Sequence, residues 1–277
     1  MSAGNLKRLK ERIESVTSTQ KITEVMKLMS SYKLKKSRNV LENARLFFNK
    51  VNHIMSSTDI FDIKLPIKEQ YKNQNLTLII VISSSKSLCG NYNNIIIKRT
   101  TTFLEDQSIF FIPIGKKVSE FLTKNISDQT RIVKYIEDNY LSFDQIKELV
   151  SFIIETAKFK EVKVLHNELF KSSASVKLSD LLHVQPTKVC VKKSIFEPSQ
   201  QEVYSTLNSV YLNAKIFLFL YKSIVAEHMC RVIAMDSAST NASNIAQDLK
   251  RAFNKSRQEK ITNEILEITS SAESFKQ

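Results

Sequence analysis

Two short stretches of the sequence contain residue types that bind phosphate in many nucleotide-binding proteins. Residues 83–90 read SSSKSLCG and residues 115–117 read GKK. The first stretch follows an apolar run, which is where doubly wound α/β folds bind phosphate groups. However, one glycine in eight residues fits neither G-x-G-x-x-G nor a P-loop, and GKK lacks the first glycine and the hydroxyl residue of a Walker motif. The sequence therefore favours an ordinary strand-to-helix turn over a nucleotide site.

The cysteine and histidine residues are too dispersed for a disulfide framework or a metal site. Cys89, Cys190 and Cys230 are odd in number and far apart, and the four histidines show no ligand spacing. Cys89 precedes a predicted helix and is a candidate nucleophile, but a buried small residue is the favoured interpretation. His228 lies on an apolar stripe and is interpreted as a polar break in it. With no G-x-S-x-G motif and no paired carboxylates, the sequence predicts no catalytic residue, no cofactor site and no metal site.

Proline and glycine divide the chain into three parts. All four prolines, and both glycines other than Gly4, lie between residues 66 and 198. The flanking segments lack these helix breakers, which predicts uninterrupted helices, while the middle alternates apolar runs with turn signals. We predict an N-terminal coiled-coil helix over residues 1–65, a Rossmann-like α/β domain over residues 66–198 and a C-terminal coiled-coil helix over residues 199–277.

The middle segment contains short apolar runs that alternate with helical patterns. Strands are predicted over residues 76–82, 109–114, 131–136 and 162–169, with weaker candidates over 176–184 and 189–193. Helices are predicted over residues 93–104, 118–124 and 142–159. A capping box from Ser142 to Gln145 opens the last of these helices. This alternation is typical of a mostly parallel sheet.

Apolar residues recur at spacings of three and four along both terminal segments, which is the stripe of a coiled coil. The N-terminal stripe, with phase slips, comprises Leu6, Leu9, Ile13, Val16, Ile22, Met26, Met29, Val40, Ala44, Phe47, Val51 and Ile54. The C-terminal stripe comprises Val210, Ala214, Phe217, Tyr221, Ile224, Met235, Ala238, Ala242, Ile245, Leu249, Ala252 and, after one phase slip, Ile261, Ile265, Ile268, Ala272 and Phe275. A capping box from Ser199 to Glu202 marks the start of the second helix. Two such helices can bury their stripes on each other, which predicts an antiparallel coiled coil.

The charge of the chain indicates an acidic partner. The net charge is +13 and the sequence pI is about 9.5, and residues 1–65 hold thirteen Lys and Arg against six Asp and Glu. Nucleic-acid binding normally adds aromatic stacking, yet the only ring near the basic cluster is Tyr32, so an acidic protein surface fits better. The longest apolar run, residues 78–82, is too short to span a membrane, and the N-terminus lacks a signal-peptide core.

Three stretches match the spacing of known sequence signatures. The C-terminal matches to E-x-x-x-R-M-x-A-M…A-x-x-N-A…N-x-x-R-Q-x-x-I-T-x-E-x-x-E-I are Glu227, Arg231, Ala234, Met235, Ala238, Asn241, Ala242, Leu249, Asn254, Arg257, Gln258, Ile261, Thr262, Glu264, Glu267 and Ile268. Residues 13–26 and 84–93 supply the second and third signatures. With these motifs the chain resembles, end to end, the gamma subunits of F-type ATP synthases. It departs from that pattern at Ser85, Ser87, Val232 and Ser271, where the family usually has Asp, Gly, Met and Gly.

The resemblance implies a non-catalytic rotor shaft. In that family the terminal helices form a coiled coil inside a ring of three alpha and three beta subunits, while the globular domain contacts the epsilon subunit and the membrane ring of c subunits. Proton flow turns the c-ring and the shaft, and the catalytic beta subunits make ATP. The implied location is peripheral, on the cytoplasmic face of the bacterial inner membrane rather than the mitochondrial matrix side, with membrane contact only through the c-ring.

The resemblance also assigns contacts with the beta subunits to seven residues: Arg257, Gln258, Thr262, Arg231, Met26, Lys27 and Lys33. The first three are expected to form a catch, the next two to lie at a neighbouring contact, and the two lysines to face acidic loops. Two alternatives remain from other classes, namely a basic coiled-coil protein that binds nucleic acid and a Rossmann-like enzyme with helical extensions. Salt-sensitive nucleic-acid binding, or binding of ATP or NAD, would identify them, and we expect neither.

Overall fold

The structure, a computed structural model, describes residues 2–57, 63–72, 74–171, 173–184, 197 and 199–274. In chain order its main elements are α1 (Ser2–Ser57), β1 (Thr77–Ile82), α2 (Tyr92–Thr101), β2 (Ile109–Ile114), α3 (Lys116–Asn125), α4 (Phe143–Thr156), β3 (Glu161–Phe170), β4 (Ser173–Asp180) and α5 (Gln200–Ser274). The strand candidate at residues 189–193 and the position of Cys190 lie outside the described residues. Within the described ranges, none of the helices combines the length and apolarity needed to cross a bilayer.

The chain packs as two compact units. The first unit contains the residues up to Met29 and those from Val232 onward, and the second contains Ser30–Arg231. Helices α1 and α5 each continue through both units. The division predicted at residues 66 and 198 follows the type of element rather than the packing, and it stays a prediction.

A four-stranded sheet forms the centre of the second unit, in the order β2-β1-β3-β4. Strand β1 pairs in parallel with both neighbours, so that Ile80 stands opposite Ile112 on β2 and Val164 on β3, and β4 pairs antiparallel with β3. Strands β1 and β2 are buried on both faces, as their continuous apolar runs require. The predicted mostly parallel, Rossmann-like sheet is therefore confirmed, with an antiparallel strand at one edge.

The predicted strand over residues 131–136 is wrong as a strand. This segment makes only two isolated parallel bridges to β2, at Ile132 and Ile136. At its start Arg131 is buried, and its guanidinium donates three hydrogen bonds of 2.6 to 3.0 Å to main-chain carbonyl oxygens of residues 104–109. Backbone hydrogen bonds to β2 do form, from the Val133 N–H to the Phe111 oxygen at 2.9 Å and from the Ile136 N–H to the Pro113 oxygen at 3.1 Å, but they do not continue into a strand. The other strands and helices of the middle segment lie within a few residues of their predicted bounds, except that β4 ends earlier, at Asp180. The N-terminal helix predicted to extend to residue 65 ends at Ser57, and residues 63–65 lie outside any helix.

Side-chain caps begin two helices as the sequence predicts. Ser142 Oγ accepts a hydrogen bond from the Gln145 backbone N–H at 3.3 Å, and Gln145 Oε1 accepts one from the Ser142 N–H at 2.9 Å, which is a complete capping box. At the start of α5, Ser199 Oγ accepts from the Glu202 N–H at 3.3 Å. These bonds satisfy backbone donors that have no partner inside the helix.

In the first unit, α1 and α5 pair in opposite directions. Lys27 Nζ lies 2.6 Å from Asp236 Oδ1, and Ser239 Oγ donates to Glu24 Oε1 at 3.4 Å, so the numbering falls on one helix as it rises on the other. This confirms the predicted antiparallel coiled coil. Continuing the same register places Ile261 opposite Ser2, so the α5 residues from Thr262 onward lie past the first residue of α1.

The buried side of α1 does not follow the predicted apolar stripe. Ile22 and Met29 are each 57% exposed, and Phe47 and Ile54 are exposed as well. Instead, buried and half-buried side chains alternate at spacings of three and four without interruption: Leu6, Leu9, Ile13, Val16, Gln20, Thr23, Lys27, Ser30, Leu34, Ser37, Leu41, Ala44, Phe48, Val51 and Met55. The predicted phase slips are therefore wrong. The heptad repeat is continuous, but small and polar residues occupy its middle positions, where helices can approach closely.

The contact face of α5 in the first unit shows the same composition. Its buried and half-buried positions at heptad spacing are Met235, Ser239, Ala242, Ala246, Leu249, Phe253, Ser256 and Lys260. Ile245, Ala252 and the three later isoleucines of the predicted stripe are exposed. Ile245 and Ala252 point away from the contact line between α1 and α5. Ile261 faces only the first residue of α1, and Ile265 and Ile268 have no segment of α1 opposite them. Phe275 and the side chain of Ala272 lie outside the described residues.

Candidate functional site

The three residues expected to form the catch lie in the first unit, on the part of α5 near its C-terminal end. Arg257, Gln258 and Thr262 are all exposed. Thr262 Oγ1 donates to the Gln258 main-chain oxygen at 3.0 Å, so this bond does not use the side-chain amide of Gln258. Among the described residues, no carboxylate lies within 4.0 Å of Arg257, whereas the neighbouring Lys260 pairs with Glu264 at 3.3 Å. A free guanidinium and a free amide on one helical turn can bind carboxylate or carbonyl groups of another protein.

An apolar row adjoins these polar residues on α5. Ile261, Ile265 and Ile268 are spaced by four and three residues, and each is exposed, with Ile268 at 68%. Such spacing places the three side chains on one face of the helix. Contiguous exposed apolar side chains of this kind mark an interaction surface.

Met26 and Lys27 lie on α1 in the first unit. Lys27 is the seam residue that pairs with Asp236, and both of these side chains remain about half exposed. Exposed ion pairs contribute only about 0 to 1 kcal/mol, so the ammonium can exchange its partner at small cost. Met26 is half-buried, and its outward neighbours Ile22 and Val25 are exposed. The outward face of α1 therefore presents apolar side chains beside an exchangeable cation.

Arg231 lies in the second unit and is buried. Its Nη2 atom is 2.7 Å from Glu227 Oε1 and donates to the Ser87 main-chain oxygen at 3.3 Å. Glu227 accepts a further hydrogen bond, from Asn139 Nδ2 at 2.6 Å. We call Glu227, Arg231 and Asn139 the Glu227 cluster. The cluster ties α5 to two loops of the α/β domain, an arrangement that the sequence signature alone did not reveal.

The electrostatics of the Glu227 cluster follow from its burial. Burial raises the pKa of Glu227, opposed by the charge and hydrogen bonds of Arg231 and Asn139. Burial, together with the positive charges of Arg231 and Lys33, lowers the pKa of His228 to about 4. His228 is therefore neutral at pH 7, and its Nε2 atom is hydrogen-bonded to the hydroxyl of Tyr140. Lys33 itself is exposed on α1.

The loop over residues 83–90 is held by its own side chains. Ser84 Oγ donates to the Lys86 main-chain oxygen at 2.7 Å, and Ser85 Oγ donates to the Glu137 main-chain oxygen at 2.6 Å. The left-handed backbone positions are Leu88 and Gly90, with φ of 63° and 58°. Ser87, at a position where the resembling family has glycine, therefore needs no left-handed backbone.

The surroundings of Cys89 and Gly115, two residues from the stretches considered as phosphate-binding loops, indicate structural roles for both. Cys89 is buried, and burial raises the pKa of its thiol, so the reactive thiolate is disfavoured. Gly115 has φ of 100°, and a Cβ atom there would lie 2.5 Å from the Ser83 carbonyl oxygen. Glycine is thus required by a close backbone contact. Within the described ranges, no group of three or more His, Cys, Asp or Glu side chains could hold a metal ion.

Comparisons with known proteins cover almost the whole chain. Residues 5–275 match the family model described as ATP synthase. The chain is 31% identical to the ATP synthase gamma chain of Flavobacterium psychrophilum, covering 98% of this chain and 99% of the relative, and 32% identical to that of Amoebophilus asiaticus, covering 99% of each.

Solved structures of similar fold come from the mitochondrial ATP synthase of Euglena gracilis. A chain of its OSCP/F1/c-ring assembly in rotational state 3 has a TM-score of 0.73 and 17% identity, covering 98% of this chain and 95% of that one. A chain of its rotor in rotational state 1 has a TM-score of 0.66 and 15% identity, covering 93% and 99%. At these identities the likeness shows the fold.

Proposed function

This chain belongs to the ATP synthase gamma chain family, and from that premise we propose that it is the rotating central-stalk subunit of a proton-translocating F-type ATP synthase. In this role it transmits rotation of a membrane c-ring to catalytic beta subunits, which make ATP. The observation that carries the proposal is the antiparallel pairing of α1 and α5 in the first unit, with the end of α5 running past α1. That extended end offers a surface to a surrounding ring of alpha and beta subunits.

The mechanical role depends on the chemical character of the surface, which changes from polar to apolar around the pair of helices α1 and α5. Arg257 and Gln258 supply polar groups near one end of α5, whereas Ile261 and Ile265 supply apolar surface beside them. As such a surface turns, each of three equivalent surrounding subunits meets a different set of side chains. Each subunit is then shifted between its conformations by the difference in contact free energy. Apolar contacts have no fixed direction and exposed ion pairs are weak, so both can be remade at every step.

Continuous helices suit the transmission of torque. Apart from Gly4 near its start, neither α1 nor α5 contains glycine or proline within its bounds. A proline in a helix interior costs about 3 kcal/mol and a glycine about 1 kcal/mol relative to alanine, and both permit bending. The absence of these residues from the two helices supports a stiff connection between the partners at either end.

We propose further that this subunit is non-catalytic. Three of the groups that could carry out proton transfer or nucleophilic attack have structural surroundings. His228 is neutral and paired with Tyr140. Burial keeps the Cys89 thiol protonated, and Glu227 is engaged by Arg231 and Asn139. These surroundings support a structural role for the second unit, with the chemistry on the partner subunits.

The partner contacts are proposed at the seven residues that the resemblance assigns. The exposed side chains of Arg257, Gln258 and Thr262 support a catch on the beta subunits. The exchangeable pair of Lys27 with Asp236 supports contact with an acidic loop. The remaining proposed contacts are Met26, Lys33 and Arg231. Because Arg231 is only 7% exposed, its geometry supports a positioning role, in which it holds α5 and the loop at residues 83–90 together.

The proposed setting is the cytoplasmic face of a bacterial inner membrane. The relatives compared above are bacterial gamma chains. We propose that this subunit reaches the membrane only through a c-ring, with an epsilon subunit beside the second unit. The basic α1 surface, with thirteen cationic against six acidic residues over positions 1–65, supports acidic protein partners.

A double substitution tests the catch. The variant Arg257→Ala with Gln258→Ala is compared with Arg251→Ala, an exposed arginine on the same helix that pairs with Asp248 at 3.4 Å. In membranes carrying the reconstituted enzyme, the double variant is expected to assemble but to lower proton-driven ATP synthesis about tenfold, equivalent to about 1.4 kcal/mol. Arg251→Ala should stay within about twofold. Unchanged synthesis by the double variant would remove the catch assignment.

A further inference from the structure

A cavity of about 470 Å³ opens beside the Glu227 cluster in the second unit. Its walls come from four separate segments, namely α1, the loop at residues 83–90, the segment at residues 138–140 and α5. The volume falls within the range of about 300 to 1,000 Å³ that is usual for small-molecule sites. The family match gives this cavity no purpose, and the proposed rotary role uses only Lys33 and Arg231 of its lining, as contacts with the beta subunits.

Cationic side chains from three of these segments converge on the cavity. Lys33 and Lys36 come from α1, Lys86 from the loop and Arg231 from α5, against two carboxylates, Asp138 and Glu227. Within the part of the chain that the structure describes, no carboxylate lies within the 4.0 Å ion-pair distance of any of the three lysine ammonium groups. The lining therefore carries an excess of two positive charges that the protein itself leaves uncompensated. Like charges gathered in a cleft concentrate the field and attract small anions.

The remaining charged groups of the lining are already engaged. Glu227 and Arg231 form the buried ion pair, and Asp138 Oδ1 accepts a hydrogen bond from the Tyr140 backbone N–H at 3.0 Å. The three lysines are exposed and free to move, so they are the groups that an anion would engage. Lysine ammonium groups bind phosphate as point charges with three donors each.

His228 also lines the cavity. Burial is the main cause that lowers its pKa to about 4, and the charges of Arg231 and Lys33 lower it further, so the ring is neutral and adds no charge to the lining. Two tyrosine rings, Tyr140 and Tyr221, form apolar parts of the same wall. Flat aromatic surface next to cations is a combination that accommodates the base and the phosphates of a nucleotide.

We propose that this cavity binds a small phosphate-bearing anion, whose phosphate groups are neutralised by Lys33, Lys36 and Lys86. The ligand class is a pyrophosphate-containing molecule, either inorganic or carried on a nucleoside, because the lining supplies cations for more than one phosphate. The site is not a P-loop, since the neighbouring loop lacks the P-loop glycines and the hydroxyls of Ser84 and Ser85 are engaged by the main-chain oxygens of Lys86 and Glu137. It is independent of the catch on α5.

Calorimetric titration of the full chain tests the site. Pyrophosphate, ATP and adenosine are titrated separately at constant ionic strength, because screening weakens all such contacts. Pyrophosphate and ATP are expected to bind saturably with one site per chain. This reverses the sequence-based expectation that the chain does not bind ATP, because the cavity brings lysines of α1 and of the loop at residues 83–90 together. The test variant is Lys36→Met with Lys86→Met, and the control is Lys35→Met with Lys124→Met, which removes the same charge from two exposed lysines outside the cavity.

The test variant is expected to lower the affinity for pyrophosphate at least tenfold, and the control should stay within twofold. All four lysines are exposed, so circular dichroism should show unchanged helix content in both variants. A higher affinity for ATP than for pyrophosphate would show that the tyrosine rings contact the base. Equal affinities would show that only the phosphate groups are bound. Both results support the proposal. Absent saturable binding, equal losses in test and control, or binding of adenosine without pyrophosphate would overturn it.

Discussion

Replacing Arg231 with methionine is expected to leave the Glu227 carboxylate without its counter-charge inside the second unit. The two side chains are 8% and 2% exposed, and their charged atoms lie 2.7 Å apart. Methionine keeps most of the aliphatic length of arginine but has no charge and no donor. Removing one partner of a buried pair costs much more than the net contribution of the pair, because the remaining charge stays buried.

The size of the expected loss in the free energy of unfolding depends on the contacts that the Glu227 carboxylate retains. Breaking a buried ion pair costs about 3 to 5 kcal/mol. Glu227 retains the hydrogen bond from Asn139 at 2.6 Å, and the adjoining cavity can admit water to the stranded carboxylate. Both reduce the loss, so we expect the free energy of unfolding to fall by about 3 kcal/mol at pH 7.5, the lower end of that range.

The loss should depend on pH in a defined direction. Burial already raises the pKa of Glu227 in the folded chain, and Arg231 opposes this increase. Without Arg231 the folded pKa rises further above its unfolded value. A carboxyl group of this kind destabilises the folded state when ionised, and the penalty is relieved as the pH falls through the folded pKa. The cost of Arg231→Met should therefore be smaller at pH 5 than at pH 7.5.

Urea denaturation followed by circular dichroism measures these differences. The double variant Glu227→Gln with Arg231→Met should regain about 2 kcal/mol of the loss, because the buried charge is gone. The control Arg251→Met, at an arginine that is 80% exposed, should cost less than about 0.5 kcal/mol. A cost below about 1 kcal/mol for Arg231→Met, or equal stability of the single and double variants, would refute the reasoning.

Three further predictions concern the seam, a glycine and a histidine. Thr23→Lys places a charge on the buried side of α1 and should lower the free energy of unfolding by about 2 kcal/mol. Ile22→Lys, at the exposed neighbour, should lower it by less than about 0.5 kcal/mol. Equal losses in the two variants would contradict the assignment of Thr23 to the contact face. Gly115→Ala should cost about 2 to 4 kcal/mol in urea denaturation, because of its positive φ and the contact with the neighbouring carbonyl, whereas Gly4→Ala, in open space, should not destabilise the chain. The pKa of His228 is lowered to about 4, so the unfolded chain takes up its proton first, and this residue should remove roughly 1.5 kcal/mol of stability between pH 6.5 and pH 5. A His228→Gln variant with an unchanged pH profile would contradict that assignment.

The sequence predicts the elements of the fold better than the contact face of its helices. Glycine and proline positions locate the terminal helices because both residues destabilise helix interiors. The seam is missed at Thr23, Ser30 and Ser37, because these buried residues are not apolar and a search for apolar spacing passes over them. Ile22 and Met29 mislead the same search, since their apolar side chains serve an outward surface instead.

Buried polar groups are the second feature that the sequence does not predict. The spacing of Glu227 and Arg231 allows an ion pair one turn apart, but Asn139 joins it from 88 positions away in the chain. Lys215 gives no pattern at all, yet it is buried against the Leu181 carbonyl oxygen at 3.1 Å, and burial lowers its pKa to about 8. Such contacts depend on tertiary packing, which periodicity along one segment does not specify.

The most direct test of the rotary role is single-molecule rotation in a complex of this chain with alpha and beta subunits. The beta subunits are fixed to a surface, and a probe is attached to the second unit of this chain. On addition of ATP, the probe is expected to turn continuously in one direction, in steps that match three equivalent catalytic subunits. A stable complex that hydrolyses ATP while the probe stays still, or failure of the chain to join the alpha and beta subunits, would contradict the proposed function.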